Sequence, residues 1–258
     1  MRPKTISLIA VTSLVVLGVV LLFVLRSPAA QAQSAAFQVA QHGHPVGTAS
    51  FTIAPAPHGY HSTSLVRVNM QGLNYALSKD EQLSQAGHLV QAQVSATVNT
   101  SAVELTVRPA GAQVQLDFST NGHKTTTSLP DHAGAVLLPD FDPGALQTLL
   151  NASARQNSRN LWVIVPIKSG SVDPVQMATF EDMQGTLNGK PMTVHHLVAT
   201  VAGAKTELFS GPQNQLMQAE LPQEGFALVR NGFVLKPPAK APAPPAQPQT
   251  TQQPQPQN

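Results

Sequence analysis

Apolar and polar residues alternate with a period of two along much of this chain. In residues 88–99 one face carries Val90, Ala92, Val94, Ala96 and Val98. The next segments repeat the alternation with Val103, Leu105, Val107, Ala112, Val114, Leu116 and Phe118. A β-strand with one face in a core and the other in water has this pattern. The sequence therefore predicts a mainly β protein.

Short connections rich in Gly, Asn and Pro separate these segments. Examples are Pro109-Ala110-Gly111, Thr120-Asn121-Gly122 and Asn188-Gly189. Such connections favour tight hairpins, which indicates an antiparallel sheet. Further strands are predicted at 37–41, 46–54, 63–71, 123–128, 160–168, 174–182, 192–201, 204–209, 215–221 and 226–230.

One segment has the period of a helix. Asp142 followed by Pro143 combines an N-cap residue with proline at the first helical position. Apolar residues then share one face over a helix expected to end near Arg155; they are Leu146, Leu149 and Leu150. Because a sheet of this many strands curls, we expect a single curved antiparallel meander or half-barrel with one covering helix.

The N-terminal part of the chain is the strongest targeting signal. Residues 5–25 contain no charged side chain, and a helix of this length matches the hydrocarbon core of a bilayer. Arg2 and Lys4 precede the run, and cationic flanks stay in the cytoplasm. The expectation is a single-pass protein that is anchored in the cell membrane through residues 5–25. Residues 27–258 would then lie outside the cytoplasm.

A cleavable signal peptide is the alternative for the same segment. Ala30-Gln31-Ala32 is a small-x-small site that a signal peptidase would cut, so that the mature chain would begin near Gln33. The apolar run is longer than the core of about 7–15 residues that signal peptides usually have. Both alternatives export the domain.

The composition of the chain indicates its domain boundaries. Its charge balance argues against nucleic-acid binding. We expect an anchor at 1–26, a linker at 27–36, a β-domain at 37–236 and a disordered Pro/Gln-rich tail at 237–258. Outside the anchor flanks and the tail, ten Lys and Arg stand against thirteen Asp and Glu. This balance argues against nucleic acid as a partner. The chain has no cysteine and therefore no disulfide or thiolate chemistry.

Two stretches resemble a known family. The segments FQVAQHGHPVGTASFTI (37–53) and QLMQAELPQEGFALVRNGF (215–233) resemble the opening and the closing hairpin of exported bacterial β-proteins of unknown function. Members of that family are similar in architecture to the periplasmic lipoprotein carriers. The resemblance implies an envelope role and an apolar ligand, and it supplies no catalytic residue. The low aromatic content, 5%, argues against a large apolar cavity.

Histidines and paired carboxylates are the candidates for chemistry. His42, His44, His58 and His61 lie within twenty residues of one another. Neutral imidazoles at such spacings can share a metal, but Gly and Pro neighbours are typical of solvated loops, which we favour. His195 and His196 are adjacent in a predicted strand, so that one ring should face the core and the other water.

The carboxylate pairs do not indicate catalysis. Of the pair Asp140/Asp142, Asp142 is the predicted helix cap, and Glu181/Asp182 lies at a strand end. Nothing in these spacings places two carboxyl groups across a substrate. Phosphate-binding, dinucleotide-binding and nucleophile motifs are absent from the sequence. We therefore predict no enzyme activity, no cofactor and no metal.

The pattern is most consistent with a non-enzymatic envelope protein that binds an apolar, lipid-like ligand or an envelope partner. The predicted binding wall consists of Val90, Val94, Val98, Leu105, Leu116, Phe118, Leu146, Leu149 and Leu150. The same residues would also fill the closed core of a β-sandwich. The alternative is a structural or adaptor module that acts through its tail.

Overall fold

Strands make up most of the chain, as the alternation predicts. The structure is a computed structural model that describes residues 32–155, 161–167 and 170–237. Its strands are β1 (Gln33–Gln41), β2 (His44–Ala56), β3 (Gly59–Met70), β4 (Leu73–Ser84), β5 (Leu89–Val98), β6 (Ser101–Ala110), β7 (Gln113–Thr120), β8 (His123–Pro130), β9 (Val136–Leu137), β10 (Trp162–Val165), β11 (Ser171–Thr179), β12 (Met183–Leu187), β13 (Lys190–Val201), β14 (Ala204–Ser210), β15 (Leu216–Leu221), β16 (Phe226–Arg230) and β17 (Phe233–Leu235). One α-helix, α1 (Pro143–Arg155), and one 3-10 turn (Pro212–Asn214) complete the described chain.

The strands form one curved, unclosed sheet that is almost entirely antiparallel. Strands β1 to β8 pair each with the next. Strand β1 also pairs with β16, and the sheet continues from there through β15, β14, β13, β11 and β10. The two-residue strand β9 pairs with β10 in parallel, the one departure from the antiparallel pattern among the described strands.

The predicted turns have the backbone that tight hairpins require. Asn121 and Gly122 have φ values of 49° and 86°, and Asn188 and Gly189 have values of 50° and 77°. Two successive residues at positive φ are typical of the turn type that matches strand twist, and Asn-Gly tolerates it best. Both predicted hairpins are confirmed.

Helix α1 begins and ends where the sequence predicts. It contacts β2, β3, β9 and β15, and its side chains from Pro143 to Leu150 are all buried. Leu146, Leu149 and Leu150 belong to the same apolar core as the inward faces of the strands. The helix therefore fills the concave side of the sheet.

Strand β4 and three short strands are not predicted by the sequence pattern. Strand β4 contains Lys79, Asp80 and Glu81, three charged residues that hide its alternation. Strands β9, β12 and β17 have two, five and three residues, which is too short for a periodic signal. Strand β1 begins at Gln33 and so extends into the segment that was assigned to the linker.

Two predicted wall residues lie outside the core. Val90 and Val98 are 49% and 38% exposed. Val90 is the extra residue at a register shift, since Gln82 pairs with Gln91 and Leu83 with Leu89, and Val98 ends β5 at a turn. Burial in β5 is therefore confined to its middle, at Ala92 and Val94.

The predicted membrane anchor at 5–25 and most of the tail lie outside the described residues. Within residues 32–155, 161–167 and 170–237, no helix has the length and hydrophobicity needed to cross a membrane.

The packing of α1 predicts a large effect of truncation. Leu149 is 1% exposed, so Leu149→Ala should lower the free energy of unfolding by about 2–5 kcal/mol through lost burial and a cavity. The matched change Leu65→Ala, at a leucine 50% exposed, should cost less than about 1 kcal/mol. Urea unfolding followed by circular dichroism measures both. Equal effects of the two changes would show that α1 does not pack as described.

Candidate ligand-binding cleft and the buried ionic cluster beside it

Three charged side chains meet beneath the start of α1. Lys79 Nζ lies 3.0 Å from Glu81 Oε2 and 2.8 Å from Asp142 Oδ2. All three side chains are at most 1% exposed. Because an unpaired buried charge is very costly, Lys79 and its two partners depend on one another. We call these three residues the ionic cluster.

The alternation of two neighbouring strands puts this cluster on the inner face of the sheet. Within β4, Lys79 and Glu81 lie two residues apart and point inward between Leu77 and Leu83. Strand β3 places Ser64 opposite Lys79 and Ser62 opposite Glu81. Both serines are buried, and their hydroxyls have no hydrogen-bond partner among the described residues.

Asp142 connects the cluster to the helix. Its Oδ1 accepts a hydrogen bond of 2.8 Å from the backbone N–H of Gly144 and so caps α1. A Cβ at residue 144 would collide with Ser64 Oγ, so that a larger residue would have to displace Ser64 or move the helix away from β3. The second carboxylate oxygen of Asp142 faces Lys79. One side chain therefore starts the helix and attaches it to the sheet.

A second attachment lies further along the helix. The side chain of Gln147 accepts a hydrogen bond of 2.8 Å from the backbone N–H of Leu216 and donates one of 2.8 Å to the carbonyl of Asn214. Thr148 Oγ1 donates to the carbonyl of Gly144 within the helix. Polar side chains of α1 are thus used inside the fold, which holds the helix in a single position.

Burial and charge shift the pKa values of the cluster in opposite ways. Burial alone lowers the pKa of Lys79, but the charges of Asp142 and Glu81 outweigh it and raise that pKa above its ordinary value. Burial raises the pKa of Glu81, and the charge of Lys79 offsets this only in part. One ammonium and two carboxylates bury a net negative charge, and a proton on Glu81 would remove it, which agrees with the direction in which the pKa of Glu81 shifts.

An apolar cleft adjoins the cluster at the N-terminal end of α1. It encloses about 300 Å³. Its lining residues are Leu138, Pro139, Asp140, Phe141, Asp142, Leu146, Val165, Ile167, Ser171, Asp173, Val201, Ala202, Ala204, Thr206 and Leu221. We call this cavity the rim cleft, because it opens at the edge of the curved sheet, where β10, β11, β13 and β14 end.

Most of the polar side chains that line the rim cleft are carboxylates. Asp173 Oδ2 accepts a hydrogen bond of 2.6 Å from Ser171 Oγ. Partial removal of water around Asp140, and after it the charge of Glu224, raises the pKa of Asp140. The backbone carbonyl of Asp140 accepts a 3.4 Å hydrogen bond from the Tyr75 hydroxyl, which ties this segment to β4.

Another cavity of about 320 Å³ lies at the C-terminal end of α1. Its walls are more polar and include Gln33, Asn151, Arg155 and Asn214. The two cavities flank the helix, and the space directly beneath it is filled by the buried leucines. Of these two cavities, the rim cleft has the more apolar walls.

Of the predicted wall residues, Leu146 lines the rim cleft. The buried residues Val94, Leu105, Leu116, Phe118, Leu149 and Leu150 belong to the packed core. The rim cleft comes mainly from loops and strand ends that are distant in sequence. A sequence pattern gives no signal for such a meeting, although Asp142 was identified through its cap.

The histidines lie apart from the cleft. His61 lies 2.9 Å from Asp80 at the surface. His195 is exposed beside Asp182, and the ring of His196 stacks on Phe209 with 4.7 Å between centroids. The prediction that the two adjacent rings face opposite sides is confirmed. Among the described residues, no group of three His, Asp or Glu side chains is placed to hold a metal.

Comparison with known proteins gives one structural likeness to report. No family model matches the chain, and no curated protein matches it significantly. Among solved structures it is similar to a DUF1089 family protein from Pseudomonas aeruginosa, determined at 1.80 Å. The two chains are 12% identical, the match covers 68% of this chain and 90% of the other, and the TM-score is 0.37. A likeness of this degree carries no argument about function.

The raised pKa of Glu81 predicts a specific pH dependence of stability. Between the ordinary value of 4.5 and the raised value, the folded protein keeps a proton that the unfolded chain releases. The stability from this group is present at low pH and is lost as pH rises through the raised pKa. Glu81→Gln removes this loss, so the variant should gain stability relative to the unaltered protein as pH rises from about 4.5.

Urea unfolding at several pH values measures the difference between the two proteins. The exposed carboxylate of Glu104 provides the matched control, since Glu104→Gln should show no comparable trend. A difference between Glu81→Gln and the unaltered protein that stays constant with pH would contradict the raised pKa of Glu81.

Proposed function

We propose that this chain is a non-enzymatic binding protein of the cell envelope that takes a small apolar or amphipathic ligand in the rim cleft. The observation that carries the proposal is the cleft itself, an apolar concavity open to solvent at the edge of the curved sheet. Its volume of about 300 Å³ is at the lower end of small-molecule sites, which run from about 300 to 1,000 Å³.

The location of the site differs from that in a carrier with a helical lid. In a lid arrangement the ligand lies between helix and sheet, and the helix moves. Here that space holds Leu149 and Leu150, and Asp142 fixes the helix to Lys79. The ligand therefore enters beside the start of α1, and the helix forms a fixed wall of its site.

The envelope location rests on the apolar run at 5–25 and on the sequence resemblance described above. Retention of the run would anchor the β-domain outside the cytoplasm. Cleavage after Ala32 would remove no residue of β1, which begins at Gln33. Both routes deliver the same folded domain, so the proposed binding function does not depend on which one operates.

The filled space beneath α1 favours a second function, that of a structural or adaptor module. In that case the β-domain is a packed support, and the Pro/Gln-rich tail at 237–258 binds an envelope component. Removal of 237–258 should then abolish co-sedimentation with a purified envelope fraction, and a change in the rim cleft should leave it intact. The reverse result would support ligand binding.

A cleft-blocking change tests the binding proposal. Ala204 is an exposed, small residue that lines the rim cleft, so Ala204→Trp should fill the opening without disturbing the core. A short alkanol that carries a photoactivated diazirine serves as the probe, with the full chain in nanodiscs. We expect labelled peptides within 138–146 and 201–206, and about tenfold less labelling in Ala204→Trp.

The control is Ala110→Trp, at another exposed strand-end alanine, and it should label like the unaltered protein. Melting temperatures of both variants establish that they are folded. If the unaltered protein is not labelled at the cleft, or if both tryptophan variants label equally, the rim cleft is not the binding site.

A further inference from the structure

The charged residues in the described lining of the rim cleft are all acidic, and no cationic residue accompanies them. Three of its lining residues are aspartates, Asp140, Asp142 and Asp173, and none of the described lining residues is Lys, Arg or His. The carboxylate of Asp142 is already engaged by Lys79. Asp140 and Asp173 form no ion pair with any described residue.

These two carboxylates differ in their surroundings but share the apolar walls. Asp140 is exposed and Asp173 is half-buried, and each lies among aliphatic residues such as Leu138, Val165 and Ile167. The charge of Glu224 also acts on Asp140. A carboxylate beside an apolar, poorly solvated wall attracts a cation more strongly than one in open water. The same arrangement repels a bound anion.

From this charge complementarity we propose that the ligand of the rim cleft is a small organic cation: an apolar body with one ammonium group, seated between the aliphatic walls and the carboxylates of Asp140 and Asp173. The inference rests on the proposed binding function and specifies its ligand class. The proposal is limited to an organic cation, because the described residues bring no three ligating side chains together. A fatty acid does not fit, because its carboxylate would face two others.

Three matched ligands separate charge from hydrophobicity. Hexylamine, hexanol and hexanoate have the same hydrocarbon chain and carry a positive, a neutral and a negative head group at pH 7. Each is added as a competitor of the diazirine alkanol to the full chain in nanodiscs, and the remaining labelling of the cleft is measured. Labelling of empty nanodiscs gives the background. We expect hexylamine to protect the cleft from labelling at a concentration about tenfold lower than hexanoate, with hexanol between them.

Two variants assign this preference to the carboxylates. Asp140→Asn and Asp173→Asn should each weaken protection by hexylamine about fivefold and leave protection by hexanol unchanged. Asp131→Asn, at an exposed aspartate outside the rim cleft, is the matched control and should change neither. Added salt should reduce the advantage of hexylamine in the unaltered protein.

The competition experiment distinguishes failure of the proposed ligand class from failure of the proposed binding function. If hexanol or hexanoate protects as well as hexylamine and the Asp→Asn changes have no effect, the cationic ligand is refuted while the binding function stands. If the alkanol labels no cleft peptide at all, the binding function fails and the ligand class fails with it.

Discussion

The buried ion pair between Lys79 and Asp142 is the interaction on which the rest of this structure depends. Lys79 belongs to the middle of the sheet, and Asp142 is the residue that starts α1. The pair therefore fixes where the helix begins, which face it buries and which part of the concave surface it covers. The rim cleft follows from this placement, because the segment 138–142 that leads into the helix forms one of its walls.

A buried cluster of this kind is weak evidence for stability, and we interpret it as a determinant of packing specificity. Removing one partner of a buried ion pair typically costs about 3–5 kcal/mol, whereas replacing the whole set by well-packed apolar residues is often neutral. The inner face of β3 and β4 could accordingly have been apolar throughout. Its serines and charged residues instead require one particular helix start opposite them. A helix that slid by one turn would leave Lys79 without Asp142, so alternative packings are strongly disfavoured.

Much of the architecture is readable from the sequence. The alternation in β5 to β7, the Asn-Gly turns and the Asp142-Pro143 helix start rest on local physics, and the structure confirms them. Strand β4 was missed because Lys79 and Glu81 point inward, against the usual meaning of a charged residue in a strand. The partner of Lys79 is Asp142, which lies more than sixty residues further along the chain, and a local sequence pattern carries no signal for such a pair.

The site was less predictable than the fold for a related reason. A sheet's dry face can be read from one strand, but a cleft exists only where several elements fail to fill space together. Val165, Val201 and Leu221 meet at the rim cleft from separate parts of the chain, and none stands out in its own segment. The predicted wall residues Leu116 and Leu149 are apolar for the ordinary reason that they fill the core.

Helix α1 is a fixed part of the core and not a lid. Hydrogen exchange of the backbone amides tests it most directly, because a lid opens locally while a core helix opens only with the whole fold. We expect amides in the middle of α1, from Gln147 to Ala152, to exchange as slowly as those of β3 and β4. Fast exchange of those helix amides, with the two strands still protected, would contradict it.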